Sequence, residues 1–199
     1  MTDVLTPPDA SAGVDAVEDL EMRLREAYDD LPHEFKVEIV DGELHLLSPS
    51  GVGPGNAAGN IFLSLKQYQR RTRAGLAFAD GVGFQVDLPG RKSFAPDASF
   101  YTGPSRGLGF AAGAPIFAVE VRSEGDYGPR AEAKMARKRD DYFAAGTLVV
   151  WDVHTVGADV VRVYRPDRPR EPAVFRRGEV ADAEPALPGW RLPVDELFE

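Results

Sequence analysis

PIFAVEVR, residues 115–122, is a short apolar, β-branched run that reads as a core strand, broken by a single acid, Glu120. A carboxylate in such a run is costly to bury unless it is paired or ligates a metal. Downstream, residues 147–153 (TLVVWDV) read as a second buried strand. Residues 130–145 between them read as a helix ended by Gly146, a usual left-handed stop. Upstream, Phe35 to Leu47 alternates apolar and polar residues on both sides of Asp41-Gly42, the pair that suits a primed hairpin turn. The Gly- and Pro-rich stretch 48–55 predicts a loop, with Asn56 capping a helix over 57–73 whose apolar face is Ala57, Ile61, Leu65 and Tyr68. Strands are expected over 76–88, 94–101, 159–165 and 173–177, and a last turn at DELFE. The order of hairpin, helix, strands, helix and strands fits an α/β (α+β) domain, a central mixed sheet flanked by helices with an added N-terminal hairpin. Residues 1–15 read as a disordered tail and 16–199 as one domain, opened by a short helix over 16–29.

Composition narrows the chemistry. With 43% hydrophobic residues in 199, the chain can bury a core of ordinary size. It has no cysteine, which removes disulfides, thiolate zinc sites and cysteine nucleophiles. Three histidines far apart in sequence (His33, His45, His154) make a histidine-rich metal cluster improbable, so a bound metal should be held by oxygen, as hard cations such as Mg²⁺, Mn²⁺ or Ca²⁺ are. The net charge of −9 argues against a general nucleic-acid coat, although arginines gather at 70–73 and 162–177. No apolar run is long enough to span a bilayer and no secretory signal is legible, so the expectation is a cytoplasmic protein without membrane contact.

Three residues carry the candidate chemistry. Glu120 is one. Asp97 follows Pro96 in SFAPDASFY (93–101), where the proline removes a ladder donor and points to a strand end. Lys138 is the third: on a helical wheel at about 100° per residue it shares a stripe roughly 80° wide with Ala131, Met135, Tyr142 and Ala145, near the middle of the apolar face. Lys134 falls at the edge of that stripe. Each has a plainer reading: a strand-end acid reaching an arginine, a turn aspartate, a lysine laying its methylenes along the core. Together they are the parts that metal-assisted phosphodiester cleavage requires. Two carboxylates hold a hard cation, and a lysine stabilises developing charge or positions the attacking water.

The stretches VEIVDGELHLLSPS (37–50), PDAS (96–99), FAVEVRSEGD (117–126), KRDDYFAAGTLVVWDV (138–153) and LPGWRLPVDELF (187–198) resemble, in order, motifs of the Uma-two family of restriction endonucleases. The resemblance covers roughly residues 30–199 and implies the PD-(D/E)XK nuclease fold, a mixed sheet between helices with the site at the ends of two strands. It implies that Pro96-Asp97 is the PD element and Glu120 the acidic element, with metal ligands Asp97, Glu120 and the main-chain carbonyl of Val121. The lysine usual two residues after the glutamate is absent. Position 122 is arginine, which would share the face of Glu120 on an extended strand. The resemblance instead assigns the catalytic lysine to Lys138, with Glu38, Arg122, Lys134 and Asn56 as supporting candidates. Asn56 stands where relatives often carry histidine; it can cap a helix but cannot shuttle a proton.

The leading expectation is therefore a Mg²⁺- or Mn²⁺-dependent DNA endonuclease, with a homodimer as the arrangement that cutting both strands calls for. The alternative is a nuclease-fold protein, weak or inactive in catalysis, that binds nucleic acid or a protein partner. A hydrolase acting on some other phosphoester is a third reading, since fold does not fix substrate. A serine hydrolase is disfavoured by the lack of a Gly-x-Ser-x-Gly elbow, and stretch 51–55 lacks the Gly-Lys-Ser/Thr ending of a phosphate-binding loop. That stretch instead suggests a mobile loop over the site.

Overall fold

The computed structural model describes residues 36–47, 50–104, 107, 109–157 and 160–199. The tail expected over 1–15 and the helix expected over 16–29 lie outside the described residues. Strands β1 (Lys36–Val40) and β2 (Glu43–Leu47) form the expected hairpin, with Val40 opposite Glu43. Asp41 and Gly42 take φ of 53° and 77°, the two left-handed residues that a type I′ turn demands.

Helix α1 spans Val52–Thr72, so it begins earlier than the sequence suggests. Its N-cap is Gly51, which makes no side-chain cap hydrogen bond, and Asn56 lies inside the helix instead of capping it. The amide of Gly55 already donates to the carbonyl of Gly51 at 2.9 Å. Pro54 is tolerated because first-turn amides have no partner within the helix in any case. The segment 52–55 is thus a helical turn, not a loop over the site. Asn56 Nδ2 donates to the backbone carbonyl of Glu199 at 2.6 Å and ties the helix start to the chain end.

The single strand expected over 76–88 is two, β3 (Leu76–Ala79) and β4 (Phe84–Leu88), separated by a turn containing Gly81 at φ 92°. The strand expected over 94–101 is also divided. β5 (Arg91–Phe94) belongs to one sheet and β6 (Ala98–Tyr101) to another, and Ala95-Pro96-Asp97 carries the chain between them. Proline suits that crossing because no ladder partner awaits its nitrogen. Then come β7 (Ala111–Ala112), β8 (Phe117–Arg122), helix α2 (Pro129–Ala144), β9 (Val149–His154), β10 (Val160–Arg165) and β11 (Arg168–Phe175). The chain ends in a pair that the sequence reading missed, β12 (Val180–Asp182) and β13 (Arg191–Pro193), and a 3₁₀ turn over Val194–Leu197.

A six-stranded mixed sheet runs β11-β10-β9-β8-β6-β3, and a five-stranded sheet runs β2-β1-β5-β4-β7. Strands β8 and β9 are parallel and joined through α2; the other neighbours in the six-stranded sheet are antiparallel. Alternation along β8 and β9 decides what each face holds. Phe117, Val119, Val121, Val149, Trp151 and Val153 join the core that α1 and the chain end cover. Ala118 and Val150 join a second core with Phe84, Phe94 and Tyr142. The remaining residues of that second face, Glu120, Arg122, Asp152 and His154, are buried and polar.

Gly75, between α1 and β3, marks a close approach. A Cβ there would lie 2.5 Å from the Tyr101 carbonyl oxygen and 2.7 Å from the Phe100 ring. Gly75→Ala is expected to lower stability by about 1–3 kcal/mol in urea denaturation, the usual cost of overpacking against backbone; an unchanged midpoint would contradict this packing.

Candidate active site

Three segments bring carboxylates to one cleft. Asp97 leaves the inter-sheet crossing with its amide donating to the Val119 carbonyl at 2.9 Å, while its Oδ2 accepts from the Val121 amide at 2.7 Å. This reciprocal pair fixes Asp97 beside the end of β8 and next to Glu120. Glu38 reaches the same place from β1. Lys138 comes from α2 and is 8% exposed, so the wheel stripe faces the interior.

The bonding among them is dense. Lys138 Nζ lies 2.7 Å from Glu120 Oε2 and 2.8 Å from Glu38 Oε1. Tyr142, one helical turn on, donates its hydroxyl to Glu120 Oε1 at 2.7 Å. Glu38 also accepts from the Ala95 amide at 3.0 Å and from Arg91 Nη1 at 2.9 Å. Arg91 Nε donates in turn to Asp141 on α2 at 2.8 Å. Glu38 is therefore fully engaged in holding two cations and a backbone amide.

Burial pushes the Glu120 carboxyl up to about 7; Lys138 opposes this, and the neighbouring charges of Asp97 and Glu38 add to it. Burial would favour a neutral Lys138 amine, but Glu120 and Glu38 outweigh it and hold its pKa above the ordinary value, so the ammonium persists. Glu38 moves the other way: burial is outweighed by Lys138 and Arg91, which keep it ionised. Burial and the Glu120 charge push the Tyr142 hydroxyl upward, so it stays a donor.

These residues fit a hard divalent cation by donor chemistry. Asp97 and Glu120 bring carboxylate oxygens together at the end of β8, close enough for the Asp97 charge to raise the Glu120 pKa. Among the described residues no three His, Asp or Glu side chains are grouped as a self-sufficient metal cage. A cation here would draw on Asp97, Glu120, a backbone carbonyl, water and substrate, the mixed shell that Mg²⁺ accepts.

The cleft, about 720 Å³, is floored by Glu38, Asp97, Glu120 and Lys138. One wall is the face of α2 that carries Arg130, Lys134 and Arg137; Arg137 is paired with Asp41 of the hairpin at 2.7 Å. Lys134 is exposed on this wall. Val121 lines the floor beside Asp97.

Two supporting candidates lie elsewhere. Asn56 is bound to the chain end and does not line the cleft. Arg122 does share the face of Glu120, but it is fully buried in a separate network. It donates to both carboxylate oxygens of Asp152 at 2.6 and 2.7 Å, to both oxygens of Glu132, and to the Asp126 carbonyl at 2.8 Å. Arg139 Nη1 adds a third bond to Asp152 at 3.1 Å. Arg122 thus clamps β8, β9, α2 and the loop between β8 and α2. Sequence reading missed Arg91, Tyr142, Asp152 and Arg139 as members of either network. The wheel placed Tyr142 on the stripe with Lys138, and the alternation of TLVVWDV could have flagged Asp152. Nothing local links Arg91 to Glu38 or Asp141, which lie 53 and 50 residues away.

The Uma2 family model, described as "Putative restriction endonuclease", matches residues 25–195. No curated protein matches the sequence. Among solved structures, one described as a putative nuclease belonging to DUF820, from Anabaena variabilis, is similar at a TM-score of 0.67 and 20% identity, over 87% of this chain and 96% of that one. At that identity the likeness speaks to fold. No described helix is long and apolar enough to cross a membrane.

Burial opposes ionisation of Asp152, but His154 and Arg122 overcome it and hold its pKa down at about 2. Its contribution to stability is therefore complete above the unfolded value near 4 and disappears as pH falls toward 2. Asp152→Asn is expected to cost about 3 kcal/mol at neutral pH by stranding buried arginine charge. The variant should also show a shallower loss of urea stability than the parent between pH 4 and 2; parallel profiles would contradict this.

Proposed function

This chain belongs to the Uma2 family, and we propose that it is a divalent-metal-dependent DNA endonuclease with its site on Asp97, Glu120 and Lys138. The observation that carries the reading is the meeting of Asp97, Glu120 and a buried Lys138 at the floor of one open cleft. The carboxylates of Asp97 and Glu120, with the Val121 carbonyl, would hold Mg²⁺ or Mn²⁺. When bound, the cation supplies charge neutralisation at the phosphate and acidifies the attacking water.

The protein's own groups do the rest. Lys138 keeps its proton between Glu120 and Glu38 and offers positive charge to the phosphorane-like transition state. Glu38, engaged by Arg91 and the Ala95 amide, acts on the ammonium and stands outside the metal shell. The exposed cations of α2, Arg130 and Lys134, offer phosphate contacts along the cleft wall. Such contacts orient a strand without reading its sequence. They also give an acidic protein a local basic track for a polyanion.

Wild-type protein is expected to nick or linearise supercoiled plasmid in Mg²⁺ or Mn²⁺, with Asp97→Ala and Glu120→Ala reduced to background on agarose gels. Equal residual cutting by all three would remove the proposal. Arg130→Ala and Lys134→Ala are each expected to weaken binding of a fluorescent DNA duplex in Ca²⁺ and to lower the slope of log K against log salt by about 1. Anisotropy titrations with an unchanged slope would take these residues off the phosphate path.

A further inference from the structure

Glu120 is gripped at both oxygens by one turn of one helix. Lys138 and Tyr142 are four residues apart on α2, the spacing that stacks side chains on one face. The first holds Oε2 at 2.7 Å and the second donates to Oε1 at 2.7 Å. The tyrosine cannot readily turn away. Its ring is fully buried and stacks on Phe94 of β5 with centroids 3.9 Å apart and planes 13° apart. Phe94, also fully buried, carries the Arg91 guanidinium 5.0 Å from its ring centre. The hydroxyl is thus aimed by the five-stranded sheet at a carboxylate on the six-stranded one.

A buried tyrosine hydroxyl needs a partner, and a backbone carbonyl would have satisfied it. Here the partner is the acid at the centre of the site. From this geometry we infer that Tyr142 is a positioning residue: its hydroxyl fixes the rotation of the Glu120 carboxylate so that the remaining lone pairs face Asp97 and the cleft, ready for a divalent cation. A free glutamate would lose rotamer freedom on binding, whereas this one has already lost it in folding. Hydrogen bonds to a ligating carboxylate act in this way, and their loss commonly weakens metal binding 10- to 100-fold.

The inference rests on Glu120 being a metal ligand, so the experiment reads metal affinity, not turnover. Free Mn²⁺ is followed by electron paramagnetic resonance during titration into wild type, Tyr142→Phe, Glu120→Ala and the double variant. Tyr142→Phe keeps the ring and its stack, and circular dichroism melts report that it has folded. The expected result is an Mn²⁺ Kd about tenfold higher for Tyr142→Phe than for wild type. The double variant should bind no more weakly than Glu120→Ala. Phe94→Leu, which loosens the ring but keeps the hydroxyl, should weaken binding by a smaller factor and serves if Tyr142→Phe does not fold. Wild-type binding with an unchanged Kd in Tyr142→Phe would overturn the positioning role and leave the metal site standing. No Mn²⁺ binding by wild type would overturn both.

Discussion

The ammonium of Lys138, buried between two carboxylates from different sheets, is the constraint on which the rest of the arrangement hangs. A lone lysine in that position would lose its proton or pull the helix away from the sheet, because desolvating a charge costs several kcal/mol. Glu120 of β8 and Glu38 of β1 prevent both outcomes. The same ion therefore joins the hairpin sheet, the six-stranded sheet and α2 at one point. Arg91 extends the connection by linking Glu38 to Asp141 on the helix. A site held this way is preorganised, since the groups that would face a phosphate are already fixed by folding.

The second polar network shows how the molecule divides the work. Strands β8 and β9 turn Glu120, Arg122, Asp152 and His154 toward the same face, and Glu120 lies opposite Asp152 in the parallel register. Yet only Glu120 opens onto the cleft. Arg122, Asp152 and Arg139 are sealed, with Glu132 and the Asp126 carbonyl closing the arginine's remaining donors. A cation two residues after the acid would be the natural candidate for chemistry, but its charge is consumed in holding strands, helix and loop together. The cation at the cleft comes from the helix instead. Burial, bidentate geometry and the lack of cleft access separate the structural arginine from the lysine at the site.

Much of this was legible in the residues, for identifiable reasons. The hairpin followed from Asp41-Gly42, whose left-handed conformations nothing else accommodates so readily, and α2 from a wheel that put Lys138 inside. Pro96 marked a break correctly, though the break proved to be a crossing between sheets and not a strand end alone. Two errors share a cause. Gly51 to Gly55 looked like a loop because glycine and proline discourage helix interiors, but a helix's first turn asks for no amide partners. Asn56 looked like a cap for the same reason, one turn too late. What stayed invisible was non-local: the bonds of Arg91 to Glu38 and Asp141, and of Tyr142 to Glu120, exist only because two sheets and a helix converge. Periodicity reports which face is buried, not what meets it there.

We propose Asp97 and Glu120 as a divalent-cation site beside Lys138. Crystals soaked in Mn²⁺ and measured at a wavelength chosen for its anomalous signal test this most directly. The expected result is an anomalous peak about 2 Å from carboxylate oxygens of both Asp97 and Glu120, with Lys138 still bound to Glu38. A map without a peak at these two residues, or with its manganese held elsewhere in the molecule, would contradict it.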